Sequence, residues 1–150
     1  MAPHRRIVNA ALAIGLAVLG SSLAAQNGES YKARLSAVPA DARTRAALAG
    51  SGAASAVLSG SKLTITGTFE GLLSPATMAA IHSGVAAGVR GPSIGDLTIT
   101  KSVSGTITGS VELNAAQQAS LHKGGLYVEI HSEKEPEGVL WGWLLRPETK

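Results

Sequence analysis

The chain of 150 residues contains 13 Lys and Arg, 10 Asp and Glu, 18 Gly and no cysteine, and carries a net charge of +3. The absence of cysteine excludes a disulfide framework and a lipoprotein anchor. A charge this close to zero argues against a nucleic-acid-binding protein, which needs a basic patch or stripe.

The first 24 residues are predicted to be a signal peptide. Arg5 and Arg6 precede an apolar run from residue 7 to residue 20, and small residues follow the run. This run is shorter than the roughly 20 residues that a helix needs to cross a bilayer. We therefore expect cleavage after Ala24 and no membrane span in the mature chain.

The mature chain is expected to be one domain. Loss of Arg5 and Arg6 leaves 11 basic residues against 10 acidic ones, so the processed protein is nearly neutral. About 125 residues suit a single hydrophobic core. We expect a short segment over residues 25–30, then one domain over residues 31–146, in a periplasmic or secreted protein.

Alternation of apolar and polar residues predicts strands along most of this domain. The clearest cases are residues 62–70 and 102–113, which are rich in β-branched side chains that suit a pleated sheet. A hairpin at Ser59-Gly60-Ser61 leads into the first of them. Weaker patterns predict strands at 31–38, 53–58, 77–82, 94–100, 126–131 and 139–145. Roughly seven or eight short strands indicate an antiparallel sandwich or barrel.

One short helix is predicted after the strand that ends near residue 113. Asn114 can cap its first turn, with Gln117 at the third helical position as in a capping box. The helix is expected to reach about Lys123, because Gly124 and Gly125 then supply a stop signal.

An ordered set of short motifs runs through the domain, at residues 31–36, 67–72, 80–84, 91–92, 105–109, 114–121, 127–131 and 136–138. In order and spacing this set resembles the chordin domain (CHRD), an extracytoplasmic β-rich module found in chordin and in many microbial exported proteins. The resemblance implies export, a sandwich-like fold and no established enzymatic activity. We therefore expect an all-β antiparallel sandwich, immunoglobulin-like or superoxide-dismutase-like, with one short helix.

The chain departs from the family's usual pattern in a polar region. The family pattern His-Ile-His-x-Gly has Ala80 in place of its first histidine, and Glu129 replaces an asparagine of the pattern Tyr-Val-Asn-hydrophobic-His. Apolar residues also replace the polar edge of a third motif, over residues 138–143. Functions of the family that depend on this polar cluster are not carried over to the chain.

Two histidines and a glutamate form a candidate metal site. On the predicted strand 126–131, Tyr127, Glu129 and His131 share one face, because side chains alternate along a strand. If the strand of His82 lies nearby, two imidazoles and a carboxylate converge, and these ligands suit zinc or copper. The alternative is that both histidines are strand residues that bind nothing.

Trp141 and Trp143 are two residues apart and share a face of the last predicted strand. With Tyr127 they form a candidate surface for a polysaccharide, a peptide or a partner protein. The alternative is that they fill the core, since the chain has only one phenylalanine.

No set of residues matches a catalytic constellation. The mature chain has only two aspartates, and neither belongs to a motif typical of a serine hydrolase. The sequence therefore predicts an exported, non-catalytic binding or structural module with no cofactor, whose partner is an unknown protein or polysaccharide. The alternative hypothesis is an extracytoplasmic copper- or zinc-binding protein that uses His82, His131 and Glu129.

Overall fold

The computed structural model describes residues 28–42 and 45–148. The predicted signal peptide and the first half of the segment 25–30, residues 25–27, lie outside these residues. The described part forms β1 (Glu29–Ala37), β2 (Ser51–Ser59), β3 (Lys62–Glu70), β4 (Ala76–Ser83), β5 (Ser93–Ile99), β6 (Gly105–Glu112), α1 (Ala115–His122), β7 (Leu126–Ser132) and β8 (Leu140–Trp143).

The eight strands form a closed antiparallel barrel in the order β1-β2-β3-β6-β5-β4-β7-β8. The first three strands are consecutive antiparallel neighbours, and β3 then pairs with β6 from Lys62 to Phe69. The barrel closes where β8 pairs with β1, through Ser36 opposite Trp141 and Ala37 opposite Leu140. A single bridge between Lys32 and Leu145 extends this seam.

The expected β-sandwich, immunoglobulin-like or superoxide-dismutase-like, is wrong. A sandwich and a barrel both bury one face of each strand, so the same alternation of residues is compatible with either. The difference lies at two narrow seams, where β1 pairs with β8 and where Thr98 and Ile99 of β5 pair with β6. Pairing at these seams removes the edge strands that an open sheet would expose.

The core of the barrel is built from the alternation that the sequence shows. In β3 the side chains of Leu63 and Ile65 point inward and are fully buried, whereas Thr64 and Thr66 are exposed. The largest fully buried side chains are Tyr31, Tyr127, Leu35, Leu63, Ile65, Ile81, Ile107, Leu121, Leu126, Ile130, Leu140 and Leu144.

The predicted helix is present as α1, and its capping box is formed. The Asn114 side chain accepts from the backbone N–H of Gln117, and the Gln117 side chain accepts from the backbone N–H of Asn114. Leu121 anchors the helix to the core. Among the residues that the structure describes, no helix has the length and apolar character required to cross a membrane.

One side of the barrel is buried on both faces. Six of the seven residues of β7 are buried. In a strand whose outer face is in water, buried and exposed residues would alternate instead. Two loops cover it: residues 84–92, between β4 and β5, and residues 133–139, between β7 and β8. They leave from opposite ends of the sheet and meet over its outer face, where Arg90 Nη1 donates to the Glu137 carbonyl oxygen at 3.1 Å.

Candidate metal centre

Strand register brings the predicted metal ligands together on the outer face beneath these loops. Strands β4 and β7 are antiparallel neighbours, with Met78 opposite His131, Ala80 opposite Glu129 and His82 opposite Tyr127. Directly opposed residues place their side chains on the same side of a sheet. The two histidines thus occupy diagonal positions around Ala80 and Glu129.

His82, Glu129 and His131 each present one ligand atom, and these three atoms lie within 4.8 Å of one another. His82 Nε2 is 3.6 Å from Glu129 Oε2, and the centroids of the two imidazole rings are 6.5 Å apart. Ligands about 2.0–2.2 Å from a shared zinc ion lie closer together than 4.8 Å. Coordination of one ion would therefore draw the three side chains closer together.

Backbone carbonyls fix which ring nitrogen of each histidine carries the proton. His82 Nδ1 lies 2.9 Å from the Gly91 oxygen, and His131 Nδ1 lies 2.7 Å from the Pro136 oxygen. A carbonyl oxygen only accepts, so both Nδ1 atoms are assigned as donors. In the neutral rings, the lone pair of each histidine is therefore on Nε2, as in metal-ligating histidines whose other nitrogen donates to a carbonyl.

Arg90 neutralises the carboxylate of Glu129 from one side. Its Nη1 is 2.6 Å from Glu129 Oε1, and Glu129 is only 1% exposed, against 48% for Arg90. The contact is an ion pair without the alignment of a hydrogen bond, since Oε1 has no hydrogen-bond partner and Nη1 donates to Glu137. The guanidinium thus holds Oε1 and leaves Oε2 facing His82.

The centre contains buried polar atoms without hydrogen-bond partners. They include Nε2 of His82 and Nε2 of His131, together with Nε1 of Trp143. Leaving such an atom buried and unpaired costs about 1–3 kcal/mol. Two such nitrogens near a carboxylate are a costly arrangement, and a bound cation would offset that cost.

Aromatic rings form one wall of the centre. The ring of Tyr127 stacks on His82 at 5.0 Å and on Trp143 at 4.8 Å, and Trp141 meets Trp143 edge to face at 4.6 Å. The guanidinium of Arg90 lies 5.2 Å from the Trp141 ring centroid. Both tryptophans are half-buried, so they are neither core residues nor a freely exposed platform.

The hydroxyl of Tyr127 ties the wall to the loop 84–92. It accepts from the Gly91 N–H at 3.0 Å and donates to the Gly91 oxygen at 3.3 Å. Burial raises the pKa of Tyr127 above its ordinary value of 10.0. The phenol therefore remains protonated at physiological pH and keeps its hydrogen bond to the same carbonyl that orients His82.

Two glycines are required by the close approach of the loops. A Cβ at Gly91 would lie 1.9 Å from the Ser83 oxygen. A Cβ at Gly138, where φ is 121°, would lie 2.3 Å from Glu129 Oε1. Neither position accepts a side chain without displacing the backbone or the carboxylate.

The predicted residues thus lie together in one place, but the groups that support them were not predicted. His82, Glu129 and His131 are adjacent, and Tyr127, Trp141 and Trp143 line the same centre.

Arg90 and the carbonyls of Gly91 and Pro136 were not predicted as functional. The glycines and prolines of both loops were the only signal, because they mark turns without showing that the loops fold back over the sheet.

The remaining histidine of the described residues lies away from this centre. His122, at the end of α1, is 3.0 Å from the carboxylate of Glu29, which Arg146 also contacts at 2.6 Å. This cluster joins the first strand to the residues after the last one, and it is separate from the candidate metal centre.

Comparison with known families agrees with these motifs. The model of the CHRD domain matches residues 31–144, which is most of the chain. The chain therefore belongs to the CHRD domain family, and membership suggests a binding or structural module. No curated protein and no solved structure matches it.

Proposed function

We propose that the protein is an exported, non-catalytic module that binds a transition-metal ion through His82, Glu129 and His131. The observation that carries this proposal is that His82, Glu129 and His131 bring one ligand atom each within 4.8 Å of the others, while both Nε2 atoms are buried without a hydrogen-bond partner. None of the residues that the structure describes forms a hydrogen bond with either of these nitrogens. Imidazole and carboxylate ligands suit copper and zinc.

Three further features support a built site. Each imidazole is held by a carbonyl oxygen, so its orientation is set before an ion arrives. Arg90 balances part of the buried charge and supports the carboxylate. Aromatic rings and two loops shield the centre from water, which strengthens the attraction between a cation and its ligands.

Metal stoichiometry tests the proposal directly. The protein, purified without a histidine tag, is loaded with Zn²⁺ or Cu²⁺ and its metal content is measured after dialysis. Trp141 and Trp143 are the only tryptophans of the chain, so their fluorescence reports binding at the centre. We expect about one tightly held ion per chain, the outcome for a single three-ligand site.

Matched histidine variants separate the centre from adventitious binding. His82→Gln and His131→Gln remove one proposed ligand each, whereas His122→Gln removes an imidazole that pairs with Glu29 away from the centre. We expect both site variants to lose the ion and the control to keep it. Equal metal content in all four proteins would overturn the proposal.

A further inference from the structure

The outer face of β4 places a thioether beside the metal ligands. Met78, Ala80 and His82 alternate along this strand, and Met78 is the direct cross-strand neighbour of His131. Directly opposed residues have Cβ atoms about 4.5–5.5 Å apart. Met78 thus lies next to one ligand, and it is two residues from the position between the two histidines.

Ala80 is the small residue between Met78 and His82 on the outer face of β4. Its methyl group occupies the middle of the cluster, with His82 and Met78 on either side along β4 and Glu129 opposite. Ala80 is fully buried although it points away from the core, because the surrounding side chains and loops cover it. A larger side chain without a donor atom at this position would fill the volume that the ion requires.

Met78 itself has no role in the barrel core. It is 43% exposed and stands outside the buried core cluster. Exposing a large apolar side chain gains nothing for folding, and its neighbours at the centre are polar. The side chain has three rotatable bonds, so its sulfur can adjust to a nearby ion at little cost.

We propose that the site binds Cu(I), with the Met78 thioether as a third ligand beside His82 Nε2 and His131 Nε2. This inference rests on the proposed metal site and names the ion that it prefers. Soft thioether ligands select Cu(I), whereas the carboxylate of Glu129 is better suited to Zn²⁺ and Cu²⁺. The stacked rings of Tyr127 and Trp143 supply the water-excluding side of the site.

The Met78→Leu variant tests the role of the sulfur, because leucine keeps the size and apolar character of the side chain. Cu(I) affinity is measured without oxygen by competition with a chromogenic Cu(I) chelator, and Zn²⁺ affinity is measured in parallel. Loss of an outer-shell partner already weakens metal binding by about 10- to 100-fold. We expect Met78→Leu to weaken Cu(I) at least about tenfold and to leave Zn²⁺ affinity unchanged.

Two controls make the result specific. In Val57→Met a thioether is added to the half-exposed position 57 of β2, on another part of the barrel, and Cu(I) affinity is expected to stay unchanged. X-ray absorption of the Cu(I) protein is expected to show a copper–sulfur contact that is absent from Met78→Leu.

The outcomes separate this inference from the proposed function. If the wild-type protein binds Zn²⁺ and Cu(I), but Met78→Leu binds Cu(I) equally well and the absorption data show no sulfur, the role of Met78 is overturned and the histidine site stands. If the wild-type protein binds neither ion, both proposals fall. A selective loss of Cu(I) in Met78→Leu supports the inference.

Discussion

The two sides of the barrel use their outer faces differently. On β3 the outward side chains are threonines and charged residues in contact with water, and the burial pattern alternates strictly. On β7 the outward side chains are Tyr127, Glu129 and His131, which lie beneath two loops. The alternation of buried and exposed residues on β3 is that of a strand with one face in the core and one in water. The loss of this alternation on β7 marks the place where outward polar groups are buried, and buried polar groups require partners.

The largest expected effect comes from replacing an outward residue on each side with alanine. Tyr127 is fully buried among His82, Trp143 and Gly91, so Tyr127→Ala is expected to destabilise by about 3–5 kcal/mol. Thr66 is exposed on β3, so Thr66→Ala is expected to change stability by less than about 0.5 kcal/mol. Urea unfolding measures both values. Similar losses in the two variants would remove the distinction between the sides.

Removal of the cation that pairs with Glu129 is expected to have the next largest effect. Arg90→Gln leaves a buried carboxylate without its counter-charge, at a cost of about 1–3 kcal/mol. Zn²⁺ supplies positive charge at the same carboxylate, so saturating Zn²⁺ is expected to stabilise Arg90→Gln more than the wild-type protein. Thermal unfolding with and without the ion checks this. An equal gain in both proteins would separate Arg90 from the metal centre.

Addition of a ligand at the centre is expected to strengthen metal binding. Ala80 lies opposite Glu129 between the two histidine positions, so Ala80→His places a further imidazole among the existing ligands. We expect Zn²⁺ affinity to rise about tenfold or more, because a structural zinc site is completed by four protein ligands. A competition titration with a zinc chelator measures the change. Ala80→Leu is the matched control, which fills the same volume without a donor and is expected to abolish binding.

The smallest effect is expected in the cluster around Glu29. A hydrogen bond from the Tyr31 hydroxyl, together with Arg146 and His122, lowers the pKa of Glu29 below its ordinary value of 4.5. A lowered pKa contributes stability above the ordinary value, and this contribution is lost as the pH falls through the lowered one. Glu29→Gln is therefore expected to reduce Tm slightly at pH 7 and to match the wild-type protein in strong acid. A Tm difference that persists there would contradict the ion-pair account.

Much of the fold could be predicted from the sequence because each strand carries its own signal. The alternation at residues 62–70 and the capping box at Asn114 depend on neighbours in the chain, and both predictions are confirmed. Closure of the barrel depends on pairing between β1 and β8, which are far apart in sequence. Period-two patterns do not contain that information, so the sandwich was predicted and the barrel was found.

The candidate site also depends partly on patterns along one strand and partly on contacts between residues far apart in sequence. Alternation alone placed Tyr127, Glu129 and His131 on one face, but the position of His82 beside them depends on the register of β4 against β7. Arg90 was missed because a single arginine in a glycine-rich loop carries no local pattern. Its partner is 39 positions away in the sequence, and only the fold of the loop brings the two together.

The nitrogen chemical shifts of the histidine rings test the central claim most directly. Two-bond ¹H–¹⁵N spectra of the labelled protein report which nitrogen of each imidazole is protonated and which one binds an ion. On addition of Zn²⁺, we predict that Nε2 of His82 and of His131 shift together to values typical of metal ligation while both Nδ1 atoms stay protonated, and that His122 is unchanged. Ligation through Nδ1, or rings that do not respond to the ion, would contradict the account.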